Sequence, residues 1–405
     1  MIRKSAGVSA ALLSALWLVG CGTIDRPADG LIRLDAQVWR PTEDPRTRAG
    51  DAARIEALTG EIGERLWTSP EPGSILALSG GGANGAYGAG VLVGWTETGA
   101  RPPFQVVTGV STGALAAPFV FLGPEWDDEL RATYTGGRTG GLLSWRSFAA
   151  LVAPGLFNPG ALEHLVEDYF TPELLRKIAI EHDKGRRLLI VTTNLDTQET
   201  VIWDMGVLAK QGGDQALVLF REVLIASASI PGVFPPVMIP GVDDQGRLVE
   251  EMHVDGGVNT PFLGIPESML TATAPTRAPT GTALYVLING QVGRNTRITR
   301  GTLPAILART YDTMGKASLR TSLVVNQAFA ERNGIEMHIA AIPDEVQASS
   351  LDFDRESMAG LFEQGRTAAL GGQAWSRLEG AETLPSESVE PEPEPVAPPV
   401  PPPAN

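Results

Sequence analysis

Two glycine-rich turns, about thirty residues apart, constrain what this chain can fold into more than anything else in it. The first, Gly80-Gly81-Gly82-Ala83-Asn84-Gly85, follows the apolar run Ile75-Leu76-Ala77-Leu78 and opens a helical pattern. The second, Gly109-Val110-Ser111-Thr112-Gly113, follows Val106-Val107 and leads into the apolar helical stretch Gly113 to Leu122. A short apolar strand feeding a helix through a tight turn, repeated at once, is the unit from which a parallel sheet is built. Further runs at Leu188 to Thr192, Ala283 to Ile288 and Ile335 to Ile342 read as strands. Leu217 to Ser227 and Phe353 to Leu370 read as helices. The alternation predicts an α/β fold with a largely parallel central sheet.

Each turn also carries a chemical expectation. In a G-x-S-x-G elbow between strand and helix, the serine is forced into a strained conformation that exposes its hydroxyl. Ser111 is therefore a candidate nucleophile, with Gly109 and Gly113 leaving room for the turn. In the first turn, Gly80, Gly82 and Gly85 satisfy G-x-G-x-x-G, which invites a dinucleotide reading. That reading needs an acidic residue about twenty positions on, at the end of the next strand. Here the next strand runs into Gly109-Val110-Ser111 and Glu97 falls within the intervening helix, so a nucleotide-dependent oxidoreductase is disfavoured. A P-loop is excluded because Ala86-Tyr87 stands where Lys-Ser/Thr is required. Successive N–H groups of Gly80, Gly81 and Gly82 at a helix N-terminus suit an oxyanion hole instead. The third element, Asp255-Gly256-Gly257, sets a carboxylate on a turn, a pairing also common in ordinary β-turns.

Taken in order, these elements resemble the patatin-like phospholipase family. Two further blocks carry the likeness: Ala226-Ser227-Ala228-Ser229-Ile230-Pro231-Gly232-Val233-Phe234-Pro235-Pro236, and Asp255-Gly256-Gly257-Val258-Asn259-Thr260-Pro261. The resemblance covers about Ile75 to Leu263 and extends toward Leu370. It implies a three-layer α/β/α fold and a Ser-Asp dyad in which Ser111 attacks and Asp255 is the base. The implied activity is that of a serine lipid acyl hydrolase, a phospholipase A or carboxylic ester hydrolase acting on a lipid or acyl ester without a cofactor. The family usually places Arg or Lys in the glycine loop where this chain has Asn84. That departure bears on rate more than on reaction type, and it leaves a weak or inactive lipid-binding lipoprotein of the same fold as the alternative.

A Ser-His-Asp triad in the order Ser, acid, His would have to use His338, which sits among apolar neighbours in a strand pattern. His253, two residues before Asp255, is expected to be a polar rim residue. The pairs Asp127-Asp128 and Asp243-Asp244 lack the spacing of a calcium loop, so no metal is expected.

The single cysteine, Cys21, excludes an intramolecular disulfide. Arg3 and Lys4 precede an apolar run, Val8 to Val19, too short to span a bilayer, so residues 1–20 read as a signal peptide. Leu18-Val19-Gly20-Cys21 resembles the bacterial lipobox. This implies cleavage before Cys21, lipidation of its sulfur and acylation of the new amine, enough acyl chains for firm membrane attachment. Gly22 in place of aspartate points to the outer membrane of a Gram-negative bacterium. Residues 21–70 are read as the lipidated N-terminus, a tether and an amphipathic helix with Ile55, Leu58, Ile62 and Leu66 at helical spacing. Residues 71–380 are read as the catalytic domain. Residues 381–405, mostly Pro, Glu, Val and Ala, are too poor in apolar surface to fold. A net charge of −15 argues against a nucleic-acid partner.

Overall fold

Apolar runs with no polar face are satisfied only when both sides of the strand are covered. The computed structural model places them so. It describes residues 24, 26–27, 29–31, 39–48, 50–67, 72–136, 160–243, 245–271, 278–293 and 298–377. Cys21, residues 1–20 and the tail 381–405 lie outside the described residues. One sheet of ten strands contains β1 (Arg46–Arg48), β2 (Ser74–Leu78), β3 (Val106–Val110), β4 (Arg187–Asn194), β5 (Glu199–Asp204), β6 (Val237–Val242), β7 (Leu248–Asp255), β8 (Ala283–Ile288), β9 (Glu336–Ala341) and β10 (Ser376–Arg377). Its centre, in the order β4-β3-β2-β8-β9, is parallel throughout. β5 and β1 extend it antiparallel beyond β4, and β10 closes the other edge beside β9. The fold is therefore a three-layer α/β/α arrangement, with antiparallel additions at its margins.

Alternation along the strands divides two cores. Leu76, Leu78 and Val107 face a layer containing the helices Gly85–Glu97, Thr112–Leu122, Gly213–Ser227 and Arg355–Leu370. Ile75, Ala77, Val106 and Val110 face the other, with Leu58 and Ile62 of the helix Ala52–Trp67 and Leu319 and Leu323 of the helix Leu303–Asn333. The small residues of Gly85–Glu97 serve chiefly its contact with Arg355–Leu370. A Cβ on Gly90 would lie 1.9 Å from the Phe362 carbonyl, and one on Gly365 would lie 2.1 Å from that of Tyr87.

Part of the stretch expected to be a tether is built into the sheet. Arg46, Thr47 and Arg48 pair with Trp203, Ile202 and Val201. Arg46 lies 3.4 Å from Glu251, and Arg48 also pairs with that carboxylate. A Pro- and Arg-rich composition hides this, because the pairing partners are more than 150 residues away.

Candidate active site

Ser111 terminates β3 with φ 54° and ψ −123°, a conformation that L residues rarely adopt. Such strain persists only where the surroundings over-determine it. Here the Ser111 N–H donates to Ser227 Oγ at 3.0 Å, and the Ser227 hydroxyl donates to the Val191 carbonyl at 2.7 Å. The flanking glycines are required by space. A Cβ on Gly109 would meet the Gly113 carbonyl at 2.6 Å, and one on Gly113 would meet that of Leu78 at 2.5 Å. Ser227→Ala strands a buried N–H, which costs about 1–3 kcal/mol. Loosening the elbow is expected to lower kcat about ten- to hundredfold with KM little changed, as steady-state kinetics on a soluble ester would register.

Asp255 meets Ser111 because of a substitution of strands in one lane of the sheet. β3 pairs with β4 as far as Val110 opposite Val191, then leaves at Ser111. The other side of β4 is taken by β5. β7 enters the vacated lane from the opposite direction and ends with Asp255 opposite Thr192. The Asp255 N–H donates to the Ser229 carbonyl at 3.0 Å, so Ser227 and Ser229 tie Ser111 and Asp255 to one short segment. The Ser111 side chain lies beside the Asp255 carboxylate and pulls its pKa down, and Oδ1 accepts the Gly257 N–H at 2.7 Å. Burial pushes the Asp255 carboxyl up to about 7 against the pull of those two groups. No cation pairs with it among the described residues.

The glycine loop lies across the turn from Ser111. Gly81 has φ 158° and Gly82 φ 57°. Added Cβ atoms there would meet the Asn289 carbonyl at 1.9 Å and the Ser350 carbonyl at 2.1 Å. The Gly80 N–H is spent on the Pro261 carbonyl at 3.2 Å. Among the described residues, the N–H groups of Gly81 and Gly82 have no acceptor. Thr112, first residue of its helix, adds an orphan N–H of the kind every helix start carries. Gly82, Ser111 and Thr112 line one cavity of about 40 Å³, walled by Leu115, Leu162, Ile230, Phe234 and Phe353. At about 10–15 Å³ for one water centre, that is room for roughly three waters. Asn84 is buried and is not part of this wall.

Two contributions escaped the sequence reading. Thr112 is recognisable only as the residue after Ser111 in the elbow. Asn289 buttresses the loop, its N–H donating to Ser79 Oγ and its Nδ2 to the Ser79 carbonyl, both at 2.8 Å. Its only signal is position at the end of a strand run.

The histidines are elsewhere. His338 is in register with Tyr285, Tyr285 with Leu76, and Leu76 with Val107, four residues short of Ser111. That places it about 14 Å across the sheet and about 13 Å along it from Ser111. Its ring stacks on Tyr285 at 4.9 Å. His338→Ala is expected to leave ester hydrolysis intact in a folded protein, and an inactive folded variant would overturn the dyad. His253 is not a rim residue but fully buried, within 2.9 Å of Thr192 Oγ1 and 3.2 Å of Glu251. Thr192 of β4 and the Trp203 ring of β5, 5.7 Å away, fill the space that alternation alone left open. Asp127 pairs with Arg101 at 2.9 Å and Asp243 with Arg247 at 2.7 Å, so both carboxylates have ordinary partners.

Residues 76–264 match the family model described as patatin-like phospholipase. This segment is a patatin-like phospholipase domain. Among solved structures, the chain is similar to VipD from Legionella pneumophila at 12% identity and a TM-score of 0.40, covering 77% of this chain and 68% of that one. It is similar to the type III effector protein ExoU at 13% identity and a TM-score of 0.30, covering 76% of this chain and 55% of that one. No curated protein matches it. The family is one of lipid acyl hydrolases, and the patatin-like domain spans the elbow, the glycine loop and Asp255.

Proposed function

We propose that this protein is a serine phospholipase or lipid esterase that works through a Ser111–Asp255 dyad at a membrane surface. Asp255 takes the proton of Ser111 as Oγ attacks the ester carbonyl. The oxyanion collects the N–H groups of Gly81, Gly82 and Thr112, each such donor being worth about 2.7–4 kcal/mol in the transition state. Collapse returns the proton from Asp255 to the departing alcohol and leaves an acyl-Ser111. Water, deprotonated by Asp255, then releases the fatty acid and restores the hydroxyl. Lipidation of Cys21 anchors the protein, in the outer membrane on the lipobox reading.

The observation that carries this reading is a strained serine set beside a buried carboxylate held near neutrality. A carboxylate at its ordinary value would be a poor base for an alcohol, whereas one raised to about 7 is matched to neutral pH. The test is a fluorophosphonate probe followed by a lipid panel with mass-spectrometric product readout. Labelling and fatty-acid release by the wild type, both lost in Ser111→Ala, support the enzyme. A folded wild type that neither labels nor hydrolyses is instead the lipid-binding alternative.

A further inference from the structure

The N-terminal chain is clamped at the edge of the sheet that carries the active site. Arg26 makes a bidentate pair with Asp196, both N···O distances 2.7 Å, and also reaches the Glu250 carbonyl. Gly30 accepts the Glu250 N–H at 2.9 Å, and Leu31 bridges to Val249. Asp196 follows β4, whose C-terminal end is level with Ser111 because β3 and β4 are parallel. The same turn touches the loop after Asp255. Asn259 Nδ2 donates to the Gln198 carbonyl at 3.2 Å, and Thr200 and Thr260 hydroxyls lie 3.1 Å apart. Cys21 precedes Arg26 by five residues, a span of at most about 18 Å when fully extended.

An independent feature marks the same edge. The helix Leu303–Asn333 connects the C-terminal end of β8 to the start of β9. At 31 residues it is about 46 Å long, against about 20 Å for the strands it crosses, so it overshoots the sheet. Its C-terminal part packs on the core through Leu323 and Phe329. Its N-terminal turns expose Leu303 (70%), Leu307 (58%) and Met314 (67%), which fall on one helical face. Val258 and Leu195 add exposed apolar side chains at the sheet edge. Tyr311 of the same helix is also exposed, at 46%.

We propose that this edge docks on the bilayer holding the Cys21 acyl chains, with the helix stripe seated in the interface, so that the enzyme draws its substrates in cis from its own leaflet. The proposal rests on the lipoprotein reading of Cys21. A leash this short cannot let the opposite edge face the same membrane while Arg26 stays paired. An apolar face beside a leash of this length matches the one surface always within its reach.

The lipidated full chain, reconstituted in vesicles of phosphatidylethanolamine and phosphatidylglycerol, tests this without relying on catalysis. Once lipidation consumes Cys21, a thiol at Leu307→Cys can carry acrylodan, and so can a control at Lys184→Cys on the opposite edge. Doxyl-labelled lipid is expected to quench the first fluorophore strongly and the second little. Equal quenching at the two positions overturns the proposal. Arg26→Ala and the triple variant Leu303→Gln, Leu307→Gln, Met314→Gln supply the functional arm. Each is expected to stay membrane-bound, to hydrolyse a soluble short-chain ester as the wild type does, and to lose about tenfold on vesicle lipid as local concentration and orientation are given up. Undiminished vesicle hydrolysis in both also overturns it. Absence of soluble-ester turnover in the wild type defeats the enzyme reading, while the quenching comparison still decides the orientation.

Discussion

Ser111→Ala is expected to abolish ester hydrolysis, by about three to six orders of magnitude in kcat, while leaving the protein folded. Only the hydroxyl is removed, and the elbow's N–H contact with Ser227 is untouched. The more discriminating variant is Ser111→Gly. Glycine for alanine ordinarily destabilises, by about 0.4–1 kcal/mol through the unfolded chain. At φ 54° and ψ −123° the order should reverse. Both variants lack the hydroxyl, so they differ mainly in whether a Cβ occupies a strained backbone, a cost on the order of 1–3 kcal/mol. Ser111→Gly should therefore be as dead as Ser111→Ala yet more stable by about 1 kcal/mol, or roughly 2 °C in melting temperature. Calorimetry of the two side by side decides it. A glycine variant that melts below the alanine variant would mean that the elbow is not strained.

Asp255→Asn is expected to cost about 10²–10⁴-fold in kcat/KM, the range that general-base catalysis supplies. The wild type carries a second signature. Because the base must be ionised and its carboxyl is held at about 7, kcat/KM should fall tenfold per pH unit on the acid side of that value. A plateau extending down to about pH 5 would remove Asp255 from the role of base. The same displacement has a consequence for stability. Asp255 has a folded value near 7 against an ordinary 3.8, so the native state keeps its proton longer than the unfolded chain does. The stability conferred is present in full below the unfolded value and is lost as pH rises through about 7, a change of up to about 4 kcal/mol. Asn cannot ionise and escapes that loss. Its stability relative to wild type should rise between about pH 4 and pH 8, which urea titrations across that range would measure. An inactive variant that grows more stable as the wild type becomes active is the mark of a carboxylate held against its preference.

Much of this site was legible before any coordinates. Ser111 and the Gly109 and Gly113 that flank it follow from strand–turn–helix context, because steric constraints on a tight turn act over five residues. The central strands were readable for the same reason: burial on both faces leaves an apolar run that needs no partner to be recognised. The hairpin of β6 and β7 was not, since its half-polar pattern resembles a loop until the lane vacated by β3 is known. Nor was the spending of the Gly80 N–H on Pro261, a contact across nearly two hundred residues. His253 was misplaced because alternation says which face of a strand a side chain takes, not what covers that face.

By itself, then, the sequence pointed to the fold class, the candidate nucleophile and the small-residue loop through local steric pattern, and to Asp255 as its candidate partner only through the family resemblance. The tertiary structure alone decided that, among the described residues, Asp255 is buried without a cation and the Gly81 and Gly82 amides lack an acceptor, and which edge of the sheet the N-terminal chain is tied to. Those depend on solvent exclusion and on strand lanes filled by residues distant in the chain, and no local pattern encodes either.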